Sequence, residues 1–372
     1  MKILFGSSQT LKPAMIRLIV FFVKIIFLLA ISVALFVGAL LLNVHLSDYQ
    51  PEAQESISSI SSNKVGIPTL TIGTDLSFIT WNLGFAGFGK ESDFFYDGGQ
   101  MVIPQRSWHD KNLLGIKNFI QQQRNTDFFL FQEIDMGAKR SYYQDHVAQI
   151  ASLLPKYAHA FATNYRVKFI PYPLEQPLGS VHSGLVTYSK YAPSASTRHS
   201  FPGNFSWPKH LFLLDRCFLL QRYSCNNGKE LVVINTHNSA YDDGSLKKQQ
   251  MDHLKQTLLA EYNKGNYVLV GGDWNHLPQD FDNNTFLQIG AEATPEVVIP
   301  ADYLPTDWTW AYDPSIPSNR KLPKPYNPDE TFCTILDFFL LSPNIDLLSV
   351  KTFDQQFEFS DHQPVQVKIT LK

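Results

Sequence analysis

An uncharged apolar run near the N-terminus is the feature that most constrains how this chain can fold. Residues 25–44 read IIFLLAISVALFVGALLLNV and contain no charged side chain. A run of about 20 apolar residues matches the length of a helix that crosses a bilayer. Within lipid, such a segment satisfies its backbone polar groups by forming a helix. The sequence therefore predicts a transmembrane helix over residues 25–45.

Charged residues flank this run asymmetrically. An excess of Lys and Arg marks the cytoplasmic side of a membrane span. Residues 1–24 are therefore predicted to be cytoplasmic, and the chain after residue 45 is predicted to lie on the non-cytoplasmic side of a single-pass protein. A cleaved signal peptide is the alternative, but the run is longer than the usual apolar region of such a peptide. The preceding basic residues are Lys2, Lys12, Arg17 and Lys24, and the following acidic residues are Asp48, Glu52 and Glu55.

The rest of the chain is predicted to be a tether and one domain. Residues 46–70 are polar and rich in serine, which is typical of a linker. Residues 71–372 contain no internal repeat, and the hydrophobic fraction of the whole chain, 44%, is enough to fill a core. The net charge of -3 gives no overall field that would attract nucleic acid. The cysteines Cys217, Cys225 and Cys333 are too scattered for a disulfide framework or a zinc site, although one Cys217–Cys225 bridge stays open.

Short runs of β-branched and aromatic residues alternate with helical patterns in this domain. Several of the runs contain four consecutive apolar residues, which indicates strands that are covered on both faces. We therefore predict an α/β or α+β fold in which sheets lie between layers of helices. The predicted strands are 76–82, 127–133, 183–189, 217–223, 231–237, 267–273, 335–341 and 363–369, and the predicted helices lie near 111–123, 142–154 and 245–265.

Proline is frequent between residues 294 and 331. Because proline lacks the backbone N–H that regular structure needs, this segment is predicted to be a long irregular surface loop. Long loops in compact domains are often functional.

Polar side chains cluster where several predicted strands begin or end. Each one alone has an ordinary explanation, such as a turn or a surface ion pair. Together they supply carboxylates, amides and histidines with no cysteine nearby, a set that suits Mg²⁺, Mn²⁺ or Ca²⁺ rather than zinc. A cation beside such groups is what phosphoester hydrolysis requires. The residues are Asn82, Glu133, His237, Asp273, Asn275, Asp337, Asp361 and His362.

The residue types in these clusters and their order along the chain resemble those of the endonuclease/exonuclease/phosphatase superfamily of metal-dependent phosphoesterases, over about residues 76–371. The resemblance implies a four-layer sandwich, with two mixed β-sheets face to face and flanked by helices, here preceded by one transmembrane helix. The motifs are TWN at 80–82, QE at 132–133, NTH at 235–237, GGDWN at 271–275, LDFFLLS at 336–342 and SDHQPV at 360–365.

The resemblance also implies roles for these residues. Glu133 looks like the principal ligand of Mg²⁺ or Mn²⁺, with Asn82 and Asp361 close to the metal. Asp273 and Asn275 resemble the pair that orients the attacking water and a phosphate oxygen.

The two histidines receive separate roles from the resemblance. His362, supported by the buried carboxylate of Asp337, looks like the residue that polarises the nucleophile or the phosphate. His237 is expected to stabilise the transition state or the leaving oxygen. Arg216 is a candidate contact for the substrate phosphate, and a salt bridge with Asp215 or another acid is the alternative reading.

The sequence does not decide between several substrate classes. The membrane anchor favours a phosphodiesterase or phosphatase that acts on lipid headgroups or small phosphoesters, and the alternative is an extracytoplasmic nuclease that cleaves DNA or RNA. Aromatic residues within 83–99, 200–210 and 306–328 could stack on bases or lie against lipid headgroups. A catalytically inactive binding module is a third hypothesis, although the chain retains every motif. Arg106, Arg140, Arg166 and Lys168 could add to a basic rim.

Overall fold

The computed structural model describes residues 13–60, 69–240, 244–282, 285–286 and 297–372. Its contacts divide the chain into a first unit, Met1–Asp48, and a second unit, Tyr49–Lys372. The first unit contains helix α1, Pro13–Leu46, which is long and apolar enough to cross a membrane and exposes nearly all of its described side chains. This helix contains the whole predicted span 25–45. Lys2 and Lys12, on which the predicted orientation partly depends, lie outside the described residues.

The second unit contains two mixed β-sheets. Sheet I comprises β2 (Asp75–Asn82), β3 (Phe128–Asp135), β4 (Ala158–Ile170), β5 (Gly179–Ser189), β14 (Ile345–Thr352) and β15 (Val365–Leu371). The strands of sheet I follow the order β14–β15–β2–β3–β5–β4. Strands β2 and β3 run parallel, whereas the other neighbours in this sheet run antiparallel.

Sheet II has the same kind of parallel centre. It comprises β1 (Gln54–Ser56), β6 (Ala195–Ser200), β7 (Cys217–Ser224), β8 (Glu230–His237), β9 (Tyr267–Asp273), β10 (Thr309–Ala311) and β13 (Asp337–Leu341). Its order is β1–β6–β7–β8–β9–β13–β10, and β8 and β9 are parallel. A separate antiparallel pair is formed by β11 (Asn319–Arg320) and β12 (Cys333–Thr334).

The inner faces of the two sheets form the central core. Phe78 and Leu130 of sheet I belong to the same buried cluster as Val233 and Leu269 of sheet II. Because side chains alternate along a strand, the other face of each sheet also carries apolar residues that need cover.

Helices cover these outer faces. Helix α4 (Ser245–Asn263) packs Leu254 and Leu258 on sheet II, and helices α2 (Arg106–Gln122) and α3 (His146–Leu153) pack on sheet I. The result is four layers, helix on sheet on sheet on helix. This arrangement confirms the predicted fold class, and each strand and helix predicted in the domain is present.

Two segments differ from what their composition suggests. Residues Gln54–Ser56, within the segment predicted as a tether, form β1 and pair with β6, while residues 61–68 lie outside the described part of the chain. The prediction that 294–331 has no regular structure is wrong at β10 and β11, because these short proline-free stretches pair with β13 and β12. All three cysteines are buried and free, as expected for ordinary core residues.

Candidate active site

Sheet topology brings the polar strand ends together. Strands β2 and β3 are parallel, with Asn82 opposite Gln132, and β8 and β9 are parallel, with His237 opposite Asp273. Strand β13 begins where β9 ends, since Asp337 lies opposite Asp273 in that antiparallel pair. Parallel neighbours present their carboxyl ends at one edge of a sheet. The predicted side chains therefore collect at one edge of each sheet.

Asn82 joins the two sheets at this edge. Its Nδ2 atom donates to Asp273 Oδ2 of sheet II at 3.0 Å and to Glu133 Oε1 of sheet I at 3.3 Å. Its Oδ1 atom accepts the backbone N–H of Gly84 at 3.0 Å. The amide nitrogen, rather than the oxygen, therefore faces the two carboxylates and holds them near each other.

Two of the predicted residues have a backbone conformation that non-glycine residues rarely adopt. Glu133 has a φ angle of 48° and Asn275 a φ angle of 49°. Such left-handed residues cost about 1–2 kcal/mol each and persist where the surroundings enforce them. Glu133 lies in a register shift between Phe131 and Ile134 of β3. This bulge leaves the Glu133 side chain 25% exposed within an otherwise buried strand, so the carboxylate can face a ligand.

His237 lies beside the same two carboxylates. Its Nε2 atom is 3.4 Å from Asp273 Oδ2 and 3.9 Å from Glu133 Oε1. Burial, together with the positive charges of Arg216 and His362, lowers the pKa of His237 well below its ordinary value. The imidazole is therefore neutral near pH 7 and can present a single N–H group to an oxygen atom.

His362 and Asp337 form a buried hydrogen-bonded pair. His362 Nδ1 lies 2.7 Å from Asp337 Oδ2, which also accepts a hydrogen bond from Ser318 Oγ at 2.9 Å. Burial lowers the pKa of His362, but the negative charges of Asp337, Asp273 and Asp361 outweigh burial and raise it. The pair therefore fixes the imidazole ring and favours its protonated form. The other ring nitrogen, Nε2, lies 3.8 Å from Asp273 Oδ2.

Asn319 contacts this second ring nitrogen and is a site residue that sequence reasoning missed. Its side-chain amide group lies 3.0 Å from His362 Nε2. Asn319 is buried, and its Oδ1 atom has no hydrogen-bond partner among the described residues. The next residue, Arg320, donates its backbone N–H to the Asp361 carbonyl at 3.0 Å, which keeps this strand beside the site. Asn319 lies in a proline-rich segment and does not end an apolar run, so no sequence pattern could have identified it.

Asp361 and Glu133 supply the negative charge that a cation would neutralise. Asp361 is buried and forms no salt bridge within the described part of the chain. Burial, offset in part by His362 and reinforced by Glu133, raises the pKa of Asp361 to about 7. The absence of a side chain at Gly84 gives this carboxylate room, since a Cβ atom there would lie 2.9 Å from Asp361 Oδ1. These hard oxygen donors fit a divalent cation of the Mg²⁺ type.

Another grouping also has metal-ligand geometry. Asp273, Asp337 and His362 each offer a ligand atom, and these atoms lie within 4.8 Å of one another. The Asp337–His362 hydrogen bond already occupies one carboxylate oxygen and one ring nitrogen of this group. The Asp273, Asp337 and His362 group therefore has fewer free ligand atoms to offer a cation.

The remaining predicted residues lie at the rim of this group. Asn275 donates its backbone N–H to Asp273 Oδ1 at 3.0 Å and its Nδ2–H to the Asn238 carbonyl at 2.9 Å. Arg216 immediately precedes β7, whose first residues pair with the last residues of β8. Its positive charge contributes to the lowered pKa of His237.

Arg140, one of the candidates for a basic rim, does not face solvent. Its guanidinium group is buried, bonds Asp135 with two hydrogen bonds at 2.9 and 3.1 Å, and lies 3.8 Å from the centre of the Phe85 ring. Arg140 therefore supports the strand that carries Glu133 instead of facing solvent. Arg166 and Lys168 are exposed, as expected.

Comparisons with known proteins agree with the fold and with the motif order. The sequence matches a model of the Endonuclease/Exonuclease/phosphatase family over residues 79–362. A comparison with curated proteins finds no match.

Several solved structures have a similar fold. One is an endonuclease/exonuclease/phosphatase from Beutenbergia cavernae DSM 12333, at 17% identity and a TM-score of 0.52, covering 80% of this chain and 72% of that chain. The human nocturnin catalytic domain with bound sulfate matches at 15% identity and a TM-score of 0.50, covering 86% of this chain and 98% of that chain. ANGEL2, a 2',3'-cyclic phosphatase in complex with adenosine-2',3'-vanadate, matches at 13% identity and a TM-score of 0.51. The match covers 87% of this chain and 99% of that chain. At these identities the likeness supports the fold alone.

Proposed function

We propose, on the premise that this chain belongs to the endonuclease/exonuclease/phosphatase family, that it is a membrane-anchored phosphoesterase that uses Mg²⁺ or Mn²⁺. Phosphoester hydrolysis in general follows from the family. One observation carries the proposal for the site: Asp273 Oδ2 lies 3.0 Å from Asn82 Nδ2, 3.4 Å from His237 Nε2 and 3.8 Å from His362 Nε2. A single carboxylate oxygen among three nitrogen atoms is suited to orienting a water molecule and accepting its proton.

The side chains around this oxygen supply the other parts of the reaction. Glu133 and Asp361 would hold the cation, which when bound neutralises the negative charge of the phosphate group. Asp273 orients the attacking water and receives a proton from it. His237, which is neutral, and His362, which is held by Asp337, present N–H groups to the oxygens on which negative charge develops.

Asn275 and Arg216 complete the proposed set. Asn275 lies beside the water-orienting carboxylate, where its amide group contacts a phosphate oxygen. Arg216 supplies a positive charge near His237 for the substrate phosphate, since an arginine binds phosphate oxygens through its planar group of N–H donors.

We infer a substrate at the membrane surface on the non-cytoplasmic side. Helix α1 is long and apolar enough to span a bilayer, which supports a lipid headgroup or a small phosphoester near the membrane. Cleavage of DNA or RNA is the alternative activity. Protease protection of the intact chain in sealed vesicles tests the side of the membrane, and digestion of the domain only from the cytoplasmic face would contradict the proposed orientation.

Activity of the full chain in detergent tests the site. We expect hydrolysis of bis-p-nitrophenyl phosphate with Mg²⁺ or Mn²⁺, and loss of hydrolysis in EDTA. Asp273→Asn and His362→Gln should each lower kcat at least 100-fold, the usual size of an acid–base contribution. Asp346→Asn, at an exposed position of β14, is the matched control. Undiminished turnover in either site variant would refute the assignment.

A substrate panel separates the two activities. Sphingomyelin, phosphoinositides, supercoiled DNA and RNA are compared under one metal condition with the same preparation. We expect the lipid substrates to be cleaved faster than the nucleic acids. The reverse order would make the chain an extracytoplasmic nuclease.

A further inference from the structure

The β4–β5 hairpin carries an exposed surface that the site chemistry does not use. The surface, here called the hairpin tip, consists of Arg166, Lys168, Phe169, Tyr172 and Leu174. Leu174 is 83% exposed, Tyr172 56% and Phe169 42%. Large apolar side chains grouped on a surface and bordered by polar residues mark an interaction site. The charged neighbours here are Arg166 and Lys168 before the apolar residues and the exposed Glu175 after them.

The hairpin tip is supported from beneath. Ile170 and Leu178 are buried in one apolar cluster with Val102 and Ala138. The Leu178 backbone N–H bonds the Tyr172 carbonyl at 3.2 Å, and Lys139 Nζ bonds the Pro177 carbonyl at 2.8 Å. The buried cluster and the hydrogen bonds therefore hold in place the hairpin that carries these exposed side chains.

The start of the second unit lies next to this hairpin. Tyr49 is its first residue, and the Tyr49 ring centre lies 5.9 Å from the Arg166 guanidinium carbon and 5.7 Å from that of Arg198. Helix α1 ends at Leu46, so Tyr49 follows the proposed membrane span by three residues in the sequence.

The same neighbourhood adjoins the candidate active site. Arg198 donates from Nε to the Thr163 carbonyl at 2.7 Å and from Nη2 to the Asp215 carbonyl at 2.9 Å. Asp215 directly precedes Arg216, whose charge acts on His237. The base of the hairpin is therefore linked to the side of the site where a substrate phosphate is proposed to bind.

We propose that the hairpin tip docks on the headgroup region of the bilayer that α1 spans, with Phe169, Tyr172 and Leu174 entering the interface and Arg166 and Lys168 contacting lipid phosphates. Aromatic and basic side chains favour this region of a membrane. Docking brings lipid headgroups to the active site, so phospholipids are the substrate class. This inference rests on the proposed membrane anchor and phosphoesterase activity.

Site-specific fluorescence in the full chain tests the docking. Leu174→Cys and, separately, Leu348→Cys are labelled with an environment-sensitive fluorophore and reconstituted in phosphatidylcholine nanodiscs that contain a headgroup-linked quencher. Leu348 is 49% exposed on β14, at the opposite edge of sheet I, so it reports mere proximity to the disc. We expect at least twofold stronger quenching at position 174 than at 348, with a further increase when phosphatidylserine is added.

Other outcomes have definite meanings. Equal quenching at the two positions would overturn the docking inference. A label at 174 that responds to a single-stranded oligonucleotide and not to lipid would also overturn it, because the surface would then bind nucleic acid. Tyr172→Cys provides a second labelling position on the hairpin tip, and quenching there no stronger than at 348 would contradict the result at 174.

Paired assays separate this inference from the proposed activity. A Tyr172→Ser, Leu174→Ser double variant should lose at least fivefold in turnover of the best bilayer lipid substrate while it keeps its turnover of bis-p-nitrophenyl phosphate. Equal turnover of the lipid by the variant and the unchanged chain would refute delivery by the hairpin tip. If the unchanged chain cleaves neither substrate, the proposed function fails, whereas the quenching comparison still decides whether the hairpin docks.

Discussion

Gln132 Nε2 donates a hydrogen bond to Asn235 Oδ1 at 2.7 Å, across the interface between sheet I and sheet II. Asn235 Nδ2 in turn donates to the carbonyls of Phe131 at 3.1 Å and Val186 at 3.0 Å. Both amide side chains are fully buried. Gln132 directly precedes Glu133, and Asn235 lies in the NTH motif that ends at His237. The network therefore sets the separation between a carboxylate of one sheet and a histidine of the other.

Removing this network should destabilise the fold. Asn235→Ala leaves Gln132 and two backbone carbonyls without their partner in a dry interior, so we expect the free energy of unfolding to fall by about 3 kcal/mol. Urea denaturation of the full chain in detergent measures the change. The exposed Asn125→Ala provides the control, and a loss no larger than in that control would show that the amide network contributes nothing to stability.

Asn319 should act through His362. Because the Asn319 side-chain amide contacts His362 Nε2, Asn319→Ala should lower kcat about 10-fold with little change in KM. In the His362→Gln background the same change should have almost no further effect. The double-mutant cycle measured with a soluble phosphodiester checks this. Equal losses in both backgrounds would show that Asn319 acts independently of the histidine.

Metal binding should depend on Glu133. Mn²⁺ that binds only the folded chain raises its melting temperature by mass action, so the increase should disappear in Glu133→Gln. Glu330→Gln, at an exposed position, should keep the increase. Differential scanning fluorimetry with Mn²⁺ alone reads this directly, without any substrate. A full Mn²⁺ response in Glu133→Gln would move the cation site elsewhere, for instance to the Asp273, Asp337 and His362 group.

Buried histidines should make the fold sensitive to acid. His146 and His109 are both buried, with their Nε2 atoms 3.2 Å apart. Burial lowers the pKa of His146 to about 4 and also lowers the pKa of His109. An unfolded histidine titrates near pH 6.5, so below that pH the unfolded chain binds more protons than the folded chain. The charged groups that act on this pair are Asp110, Asp135, Arg106, Arg140 and Lys117.

The free energy of unfolding should therefore fall as the pH decreases from about 6.5 towards 4, and the contribution of this pair should be fully present above pH 6.5. His146→Gln keeps a polar partner for His109 without a titrating ring, so it should lose less stability between pH 7.5 and pH 5 than the unchanged chain. Urea denaturation at the two pH values measures this. His210→Gln serves as the control, and identical pH dependence in all three chains would contradict the prediction.

Local sequence patterns predict most strands and helices of the fold and most residues of the candidate site. The apolar run that starts at Ile25 predicts a helix because its composition alone dictates how its backbone groups can be satisfied. The strands around Asn82, Glu133, His237 and Asp273 were predictable because each is a short apolar run that ends abruptly in polar residues. Edge strand β4 was not predicted, because its described side chains alternate between buried and partly exposed positions and form no continuous apolar run.

Long-range packing decided the rest. Nothing local to Asn319 indicates that it touches His362, since the contact exists only because β11 lies against the segment that precedes β15. Arginine usually lies at the protein surface, yet the turn after β3 directs Arg140 inward to Asp135. The sequence by itself determined which residue types end each strand. Only the tertiary structure decided which of them meet, because hydrogen bonds and charge interactions depend on distances between atoms that are far apart along the chain.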